Sequence, residues 1–313
     1  MPFTDKPQVF GASINALTVG AEGREIVLGG SNVLPLYSFD APIPNAPRVG
    51  VEVSDRGYDK TVPGLAEFYA GCETVPEQAK KACTMEGCDF IVLTLDSADP
   101  NAENTSVEDC VELVKAVYDA IDKPLAVIGS KNIEKDADLF VKVADAMRGK
   151  NILCLSCREE NYKQVGAGVV LAAGCLVGGE SAVDINLAKQ LNVLLSQLGI
   201  PSTSVVMNLG SAAAGYGFEY LASTIERVKN AALTQNDQAL QMPVVTIVGD
   251  DAWGVKETIL EESEEPEWGP REERGIQMEI ETAAACIACG SDAVLLRHPV
   301  AVKTIADMIK ELV

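Results

Sequence analysis

Three polar side chains stand where short apolar runs end: Asp55, Asp96 and Asn208. Two carboxylates and an amide gathered at one place could hydrogen-bond a flat heterocycle, although each type is also a common turn former or helix cap. Further on lie two segments rich in glycine and aromatic residues, Ala213 to Tyr220 and Trp268 to Gly275. Gly215-Tyr216-Gly217 precedes a helix-like run. It could turn backbone N–H groups toward an anion, or let the chain approach a large flat ligand or a partner. No third glycine follows at nucleotide-loop spacing and no GxxxxGK[ST] occurs, so the signal for a nucleotide is weak. The second segment combines Trp268 and Arg271 with paired acids and looks built to touch something.

His298 is the only histidine and follows the last strand-like run. It reads equally as a general base or metal ligand and as a hydrogen-bonded structural residue beside Pro299. With no second histidine to share a metal, the histidine-rich zinc-hydrolase barrels are excluded by count. Cys154-Leu155-Ser156-Cys157 and Cys286-Ile287-Ala288-Cys289 have zinc-site or cluster-site spacing. The first pair sits on a strand, where residues three apart tend to face opposite ways, and the second lies inside an apolar helix. Both pairs are expected to be buried structural thiols.

The elements that must position these groups alternate. Eight short, apolar, often β-branched runs read as strands of a buried parallel sheet. They are Val51–Val53, Phe90–Leu95, Leu125–Ile128, Ile152–Leu155, Cys175–Val177, Ser204–Met207, Val244–Val248 and Ala293–Leu296. Helix-like segments follow them: Pro76–Met85, Val107–Ile121, Lys135–Met147, Glu159–Ala173, Ile185–Leu198, Phe218–Leu233, Met278–Ala288 and Val302–Val313. Val107–Ile121 carries the clearest marks, with Ser106 as its cap and Glu108 and Asp109 in its first turn. Eight such repeats predict a (β/α)8 TIM barrel over residues 49–313, with working groups in the loops after the strands. Ser54-Asp55-Arg56-Gly57-Tyr58, standing where a dinucleotide fold has its glycine turn, argues against an open doubly wound sheet.

Residues 1–48 differ. Ala16–Val19 and Glu25–Leu28 read as an N-terminal β-hairpin extension, expected to plug or cover one end of the barrel, and a proline-rich link follows. Between Val248 and Gly275 no periodicity is visible, and loops of that length are usually functional or disordered. Its acidic half, Glu261 to Glu267, reads as solvated.

Composition narrows the partners. Twenty-five Lys and Arg against 46 Asp and Glu give a net charge of −21, which repels nucleic acid and anionic lipid. Met1 to Pro7 contains no apolar leader, and the longest uncharged stretch, Gln190 to Phe218, is broken by glycines and Pro201. Neither nucleic acid nor membrane is expected as a partner. The odd count of nine cysteines suggests reduced thiols and a cytoplasmic location.

Taken together, Ala214-Gly215-Tyr216-Gly217-Phe218-Glu219-Tyr220 with Ser223, Glu226-Arg227 and Ala231-Ala232-Leu233 resemble the barrel subunit of corrinoid iron–sulfur proteins. So do Trp268-Gly269-Pro270-Arg271-Glu272 with Arg274-Gly275, and the run from Gly290-Ser291-Asp292 to Arg297-His298-Pro299. The match is to the small, or delta, subunit, from Val9 onward. The resemblance implies a TIM barrel paired with a large corrinoid iron–sulfur subunit in a heterodimer. That partner carries a [4Fe–4S] cluster and a corrinoid domain, and cobalamin lies between it and the barrel. It also implies methyl transfer from methyltetrahydrofolate, through a separate methyltransferase, to the cobalt and then to acetyl-CoA synthase. This chain would then be a methyl-carrier subunit without catalysis of its own. It has neither a close cysteine run nor a D-x-H-x-x-G signature, which fits the cluster and the corrinoid's lower ligand being in the partner. The cofactor contacts expected here are Asn208, Gly215, Tyr216, Gly217, Trp268, Arg271 and His298. The alternative is a pterin-binding methyltetrahydrofolate methyltransferase barrel using Asp55, Asp96 and Asn208.

Overall fold

The computed structural model of the chain describes residues 6–313; the first five, part of the stretch Met1 to Pro7 read above for a leader, lie outside the described residues. Strands β1 (Leu17–Ala21) and β2 (Arg24–Leu28) form the antiparallel hairpin. Its two-residue turn puts both Glu22 and Gly23 at positive φ, 62° and 86°, the geometry that matches the twist of a tight hairpin.

Eight parallel strands follow: β3 (Arg48–Ser54), β4 (Phe90–Thr94), β5 (Leu125–Ile128), β6 (Leu153–Cys157), β7 (Leu176–Glu180), β8 (Val205–Asn208), β9 (Val245–Ile247) and β10 (Ala293–Leu296). Each pairs with its neighbour in sequence, and β10 pairs with β3. The last seam, β8 to β9, closes through a single parallel bridge, Met207 to Val244, with Met207 N donating to Pro243 O at 2.7 Å. The sheet is thus a nearly closed barrel.

Outside it lie α1 (Leu65–Phe68), α2 (Val75–Ala82), α3 (Val107–Ala120), α4 (Ile133–Ala146), α5 (Tyr162–Val165), α6 (Ile185–Gln197), α7 (Phe218–Thr234), α8 (Gly249–Ala252), α9 (Lys256–Ile259), α10 (Arg271–Cys289) and α11 (Pro299–Leu312). Caps set several of their starts. Thr74 and Glu77 form a capping box on α2, and Ser106 accepts from Asp109 N on α3 at 3.1 Å. α5 is only one turn long; the expected helix Glu159–Ala173 continues as a π-helix over Gly166–Ala172.

Two expectations need correction. The stretch from Val248 to Gly275 is not structureless: it holds α8, α9, a 3-10 turn at Pro266–Trp268 and the first turns of α10. Its pieces are too short to show a 3.6-residue period. Cys154 and Cys157 do not face opposite ways, because a register irregularity on β6 lies between them and both join the outer core. Burial pushes Cys157 up to about 12 and Cys154 further.

Two cores result. One packs helices against the barrel's outer surface. The other fills the barrel, where Leu17, Val19, Ile26 and Leu28 of the hairpin meet Phe90, Leu153, Leu176 and Val245 at the strand starts. The hairpin therefore plugs the end where the strands begin. Gly50 and Gly178 have no side chain because Phe90 and Leu155 occupy that space: a Cβ would stand 2.6 and 2.5 Å from their rings or methyls.

Candidate functional site

Strand period 2 sends Glu52, Asn208 and Arg297 inward at the other end of the barrel, where helices do not cover it. A cavity of about 240 Å3 opens there. Ile128, Leu155 and Ile247 make its floor, and Glu52, Asp96, Lys131, Asn208, Asp250 and Arg297 are among its walls. A second hollow of about 510 Å3, lined by Arg56, Tyr58, Asp59, Leu65 and Tyr69, shares Glu52, Asp96, Asp250 and Arg297 with the first. Arg297 is therefore the partition between the two.

The partition is ionic. Arg297 Nε donates to Glu52 Oε2 at 2.8 Å, Nη2 to Asp250 Oδ1 at 3.0 Å, and Nη1 to Asp59 Oδ2 at 3.4 Å. Lys131 Nζ donates to Asp250 Oδ2 at 2.6 Å. Burial works against the Arg297 charge, but Glu52 and Asp250 offset it and hold the guanidinium firmly protonated. Burial also raises Glu52, only partly countered by Arg297. Asp250 ends below its ordinary value, because Lys131 and Arg297 outweigh its own burial. One atom is left over: Glu52 Oε1 is buried and has no hydrogen-bond partner.

Behind the mouth, Glu279 of α10 is fully buried and accepts from Arg297 N at 2.6 Å and His298 N at 3.2 Å. Burial raises it to about 7 despite those bonds. It holds the backbone that delivers Arg297.

Of the polar triad expected from sequence, two members reach the mouth. Asp96 Oδ2 accepts from Ser54 Oγ at 2.8 Å and Thr94 Oγ1 at 2.6 Å. Asn208 accepts from Gly210 N at 3.1 Å and donates to Ser156 Oγ at 3.0 Å. Asp55 turns aside and accepts from Ser97 N and Oγ at 3.0 and 2.5 Å, the capping role.

The glycine segment follows Gly210 and Ser211, which line the cavity. Gly215 and Gly217 take φ of 82° and 84°, conformations that favour glycine, and the space around Gly215 is open. Between them Tyr216 is half exposed, its hydroxyl donating to Glu257 at 2.6 Å. Tyr220, one turn on, is 69% exposed, as is Ile259 of α9 at 51%.

Trp268, Arg271 and His298 are not brought to the cavity. Trp268 lies between Lys256 Nζ and Arg274 Cζ, at 5.0 and 5.7 Å from its ring centre. Arg271 donates to Thr258 O at 2.8 Å, Glu261 Oε1 at 2.7 Å and Thr61 O at 2.7 Å, tying the seventh loop to the first. His298 is buried; its Nδ1 accepts from Val300 N at 3.2 Å and so caps α11. Burial lowers its pKa, opposed by Glu272 at 3.6 Å.

Sequence reasoning passed over Glu52, Lys131, Asp250 and Arg297 as site groups. The signal was present in Val51-Glu52-Val53: a carboxylate inside an apolar strand must find a partner or a ligand.

The comparisons agree with this architecture. Residues 16–295 match the family model described as "CO dehydrogenase/acetyl-CoA synthase delta subunit". The acetyl-CoA decarbonylase/synthase complex subunit delta 2 of Methanosarcina acetivorans is 31% identical over 94% of this chain and 67% of its own length. Subunit delta of Methanopyrus kandleri is 32% identical over 92% of this chain and 70% of its own. The chain thus spans about two thirds of the length of these relatives. Among solved structures, the dihydropteroate synthase of Xanthomonas albilineans with 4-aminobenzoic acid superposes with a TM-score of 0.57 at 13% identity, covering 95% of this chain and 98% of that one. The Vibrio fischeri 7,8-dihydropteroate synthase gives 0.56 at 12%, covering 95% and 97%. Likeness at that identity shows the fold alone.

Proposed function

The chain belongs to the CO dehydrogenase/acetyl-CoA synthase delta subunit family, and from that premise we propose that it is the barrel half of a heterodimeric corrinoid iron–sulfur methyl carrier in the cytoplasm. Its partner, a larger subunit, holds the [4Fe–4S] cluster and the corrinoid-binding domain. This barrel covers one corrin face while methyl groups pass from methyltetrahydrofolate, through a methyltransferase, to acetyl-CoA synthase.

The rim carries the reading. Tyr216 of the sixth loop, Tyr220 in the first turn of α7 and Ile259 of α9 stay exposed, and Gly215 leaves open ground beside Tyr216. Large apolar side chains gathered at one edge suit a flat group or a second chain laid across the mouth. The residues present fit a cover rather than a ligand to cobalt. His298 is buried and engaged in capping; Cys154, Cys157 and Cys286 are buried and Cys289 is half-buried, with burial pushing Cys289 up to about 11 and Cys286 further.

When bound, the corrinoid supplies the cobalt that accepts and releases the methyl group. This chain's residues place it and keep water away. Contacts are assigned to Asn208, Gly215, Tyr216 and Gly217. Trp268, Arg271 and His298 hold the seventh and eighth loops behind them. The deep mouth keeps Asp96 and Asn208 available to a pterin, but the apolar rim favours the carrier over the methyltransferase.

The test is anaerobic purification of the tagged chain from its native extract, with optical spectra. A larger iron–sulfur partner eluting with corrinoid absorption is the expected result. A colourless chain recovered without a partner, able by itself to move methyl groups from methyltetrahydrofolate to added cobalamin, overturns it.

A further inference from the structure

One flank of the barrel carries almost no charge, on a chain whose net charge is −21. We propose that this flank, the outer face of α6 with the π-helix beside it, is the contact between two copies of the chain.

Of the 25 basic and 46 acidic side chains, residues 164–218 hold only Glu180, Asp184 and Lys189. None of the three is free. Glu180 accepts from Arg158 Nη2 at 2.7 Å, Asp184 Oδ1 accepts from Asn186 N at 2.8 Å and caps α6, and Lys189 Nζ donates to Asp237 Oδ2 at 2.6 Å. Other outer helices meet water with charges: α3 exposes Glu108, Glu112, Lys115 and Asp119, and α4 exposes Glu134, Asp138, Lys142 and Asp145. Apart from Lys189, α6 exposes Asn186, Gln190, Val193, Ser196 and Gln197, and the π-helix exposes Ala167, Leu171 and Ala172. Leu171 and Val193 are 52% and 38% exposed. Beside the end of α6 a groove of about 390 Å3, with Val193, Ser196, Gln197, Pro201 and Gln238 among its walls, has no charged group in its lining.

A solvated helix face ordinarily carries charge, and depletion of charge with large apolar groups left exposed marks the middle of an interface. The charge balance also selects the occupant. A basic partner is drawn to the acidic faces elsewhere on the chain and gains nothing here. A second copy brings the same −21, and two such chains approach closely only where neither presents unpaired charge. The groove complements itself as well. Ser196, Gln197 and Gln238 each carry a donor and an acceptor, so a two-fold axis sets every group opposite one that can bond it. Leu171 and Val193 add the apolar contact. α5, which runs on into the π-helix, packs against α6. Side by side the two elements span about 20 Å each way. That is about half of the roughly 800 Å2 per partner in a standard interface, so a weak, reversible dimer is expected, with a Kd on the order of 10 µM.

The contact lies on the flank and not at the mouth, so this inference stands apart from the carrier reading; in the assembled carrier it would join two pairs. It is tested by sedimentation velocity of the full chain, alone and with its larger partner, over a range of concentration and salt. A reversible dimer is expected. Raising sodium chloride from about 0.05 to 0.5 M should tighten it, because salt screens the repulsion between like-charged copies. Val193→Glu sets like charges across the axis and should weaken the dimer at least about tenfold, and Ser196→Glu should do the same. Val300→Glu, at an exposed position of α11, should leave it unchanged. Melting curves confirm that each variant folds. A chain that stays monomeric up to about 0.2 mM, a dimer that salt weakens, or one that both α6 variants leave intact overturns the proposal. So does release of the larger subunit by Val193→Glu, which would give this face to that subunit. Corrinoid retention by the purified pair is read separately, so either reading can fail without the other.

Discussion

The two ends of the barrel are finished in opposite ways. Where the strands begin, the hairpin drives Leu17, Val19, Ile26 and Leu28 into the opening, and the interior there is apolar and filled. Where the strands end, the same alternation presents Glu52, Asn208 and Arg297, and the interior is hollow and charged. Packing at the first end is satisfied within the chain. At the second, one carboxylate oxygen remains unsatisfied.

The most severe way to break this contrast is to remove the guanidinium at the open end. Arg297→Ala leaves Glu52, Asp59 and Asp250 facing one another, and should cost roughly 3–5 kcal/mol in urea unfolding. A loss under about 1 kcal/mol would mean that water already screens these charges. At the closed end, Leu28→Ala removes a side chain 1% exposed and should cost about 3 kcal/mol. It should leave corrinoid retention by the purified pair unchanged, which separates the two ends functionally.

The third prediction concerns pH. Folding raises Glu279 from an ordinary 4.5 to about 7. The folded chain therefore holds this proton more tightly than the unfolded chain. The resulting stability is fully present below pH 4.5 and is lost as pH rises through about 7. The change is on the order of 3 kcal/mol, read as the pH slope of the melting temperature. Glu279→Gln should flatten that slope between pH 5 and 8 relative to the parent and narrow the loss at pH 8, where the parent carries a buried charge.

The smallest effect belongs to the loop brace. Arg271→Ala loses its bonds to Thr258, Glu261 and Thr61 and should cost about 1–2 kcal/mol. Corrinoid retention should fall only in step with stability. A large loss of corrinoid in a chain that melts normally would instead make Arg271 a direct contact.

The architecture was readable from the residues because buried parallel strands are short apolar runs, and all eight stand within a few residues of where the sequence places them. The helix start at Ser106 was signalled by its cap. The first turns of α10 were not, since Arg271, Glu272 and Glu273 carry no apolar stripe and the period emerges only near Met278. A packing detail was hidden as well: Gly275 sits where a Cβ would come within 1.9 Å of the Trp253 ring, so a glycine that looked like loop is helical. The positive-φ backbone at Gly215 and Gly217 was legible, because a glycine pair just before a helix marks such a turn. Glu52 and Arg297 were not, because pairing across 245 positions follows from barrel closure rather than from spacing. The sequence drew the eye to His298, while its neighbour Arg297 is the group that faces the cavity.

The hairpin plug also sets an order of events. It precedes every barrel strand in the chain, yet its four apolar side chains meet Phe90, Leu153, Leu176 and Val245, groups spread over more than 150 residues. The ring itself closes only when β10 reaches β3, joining Ala293 to Arg48. Contacts so distant in sequence form slowly, since the loop-closure entropy must be met before they contribute. During synthesis the hairpin's oily face therefore waits for nearly the whole chain to emerge. In that interval the exposed apolar face can pair with other chains, so aggregation is the failure this topology invites.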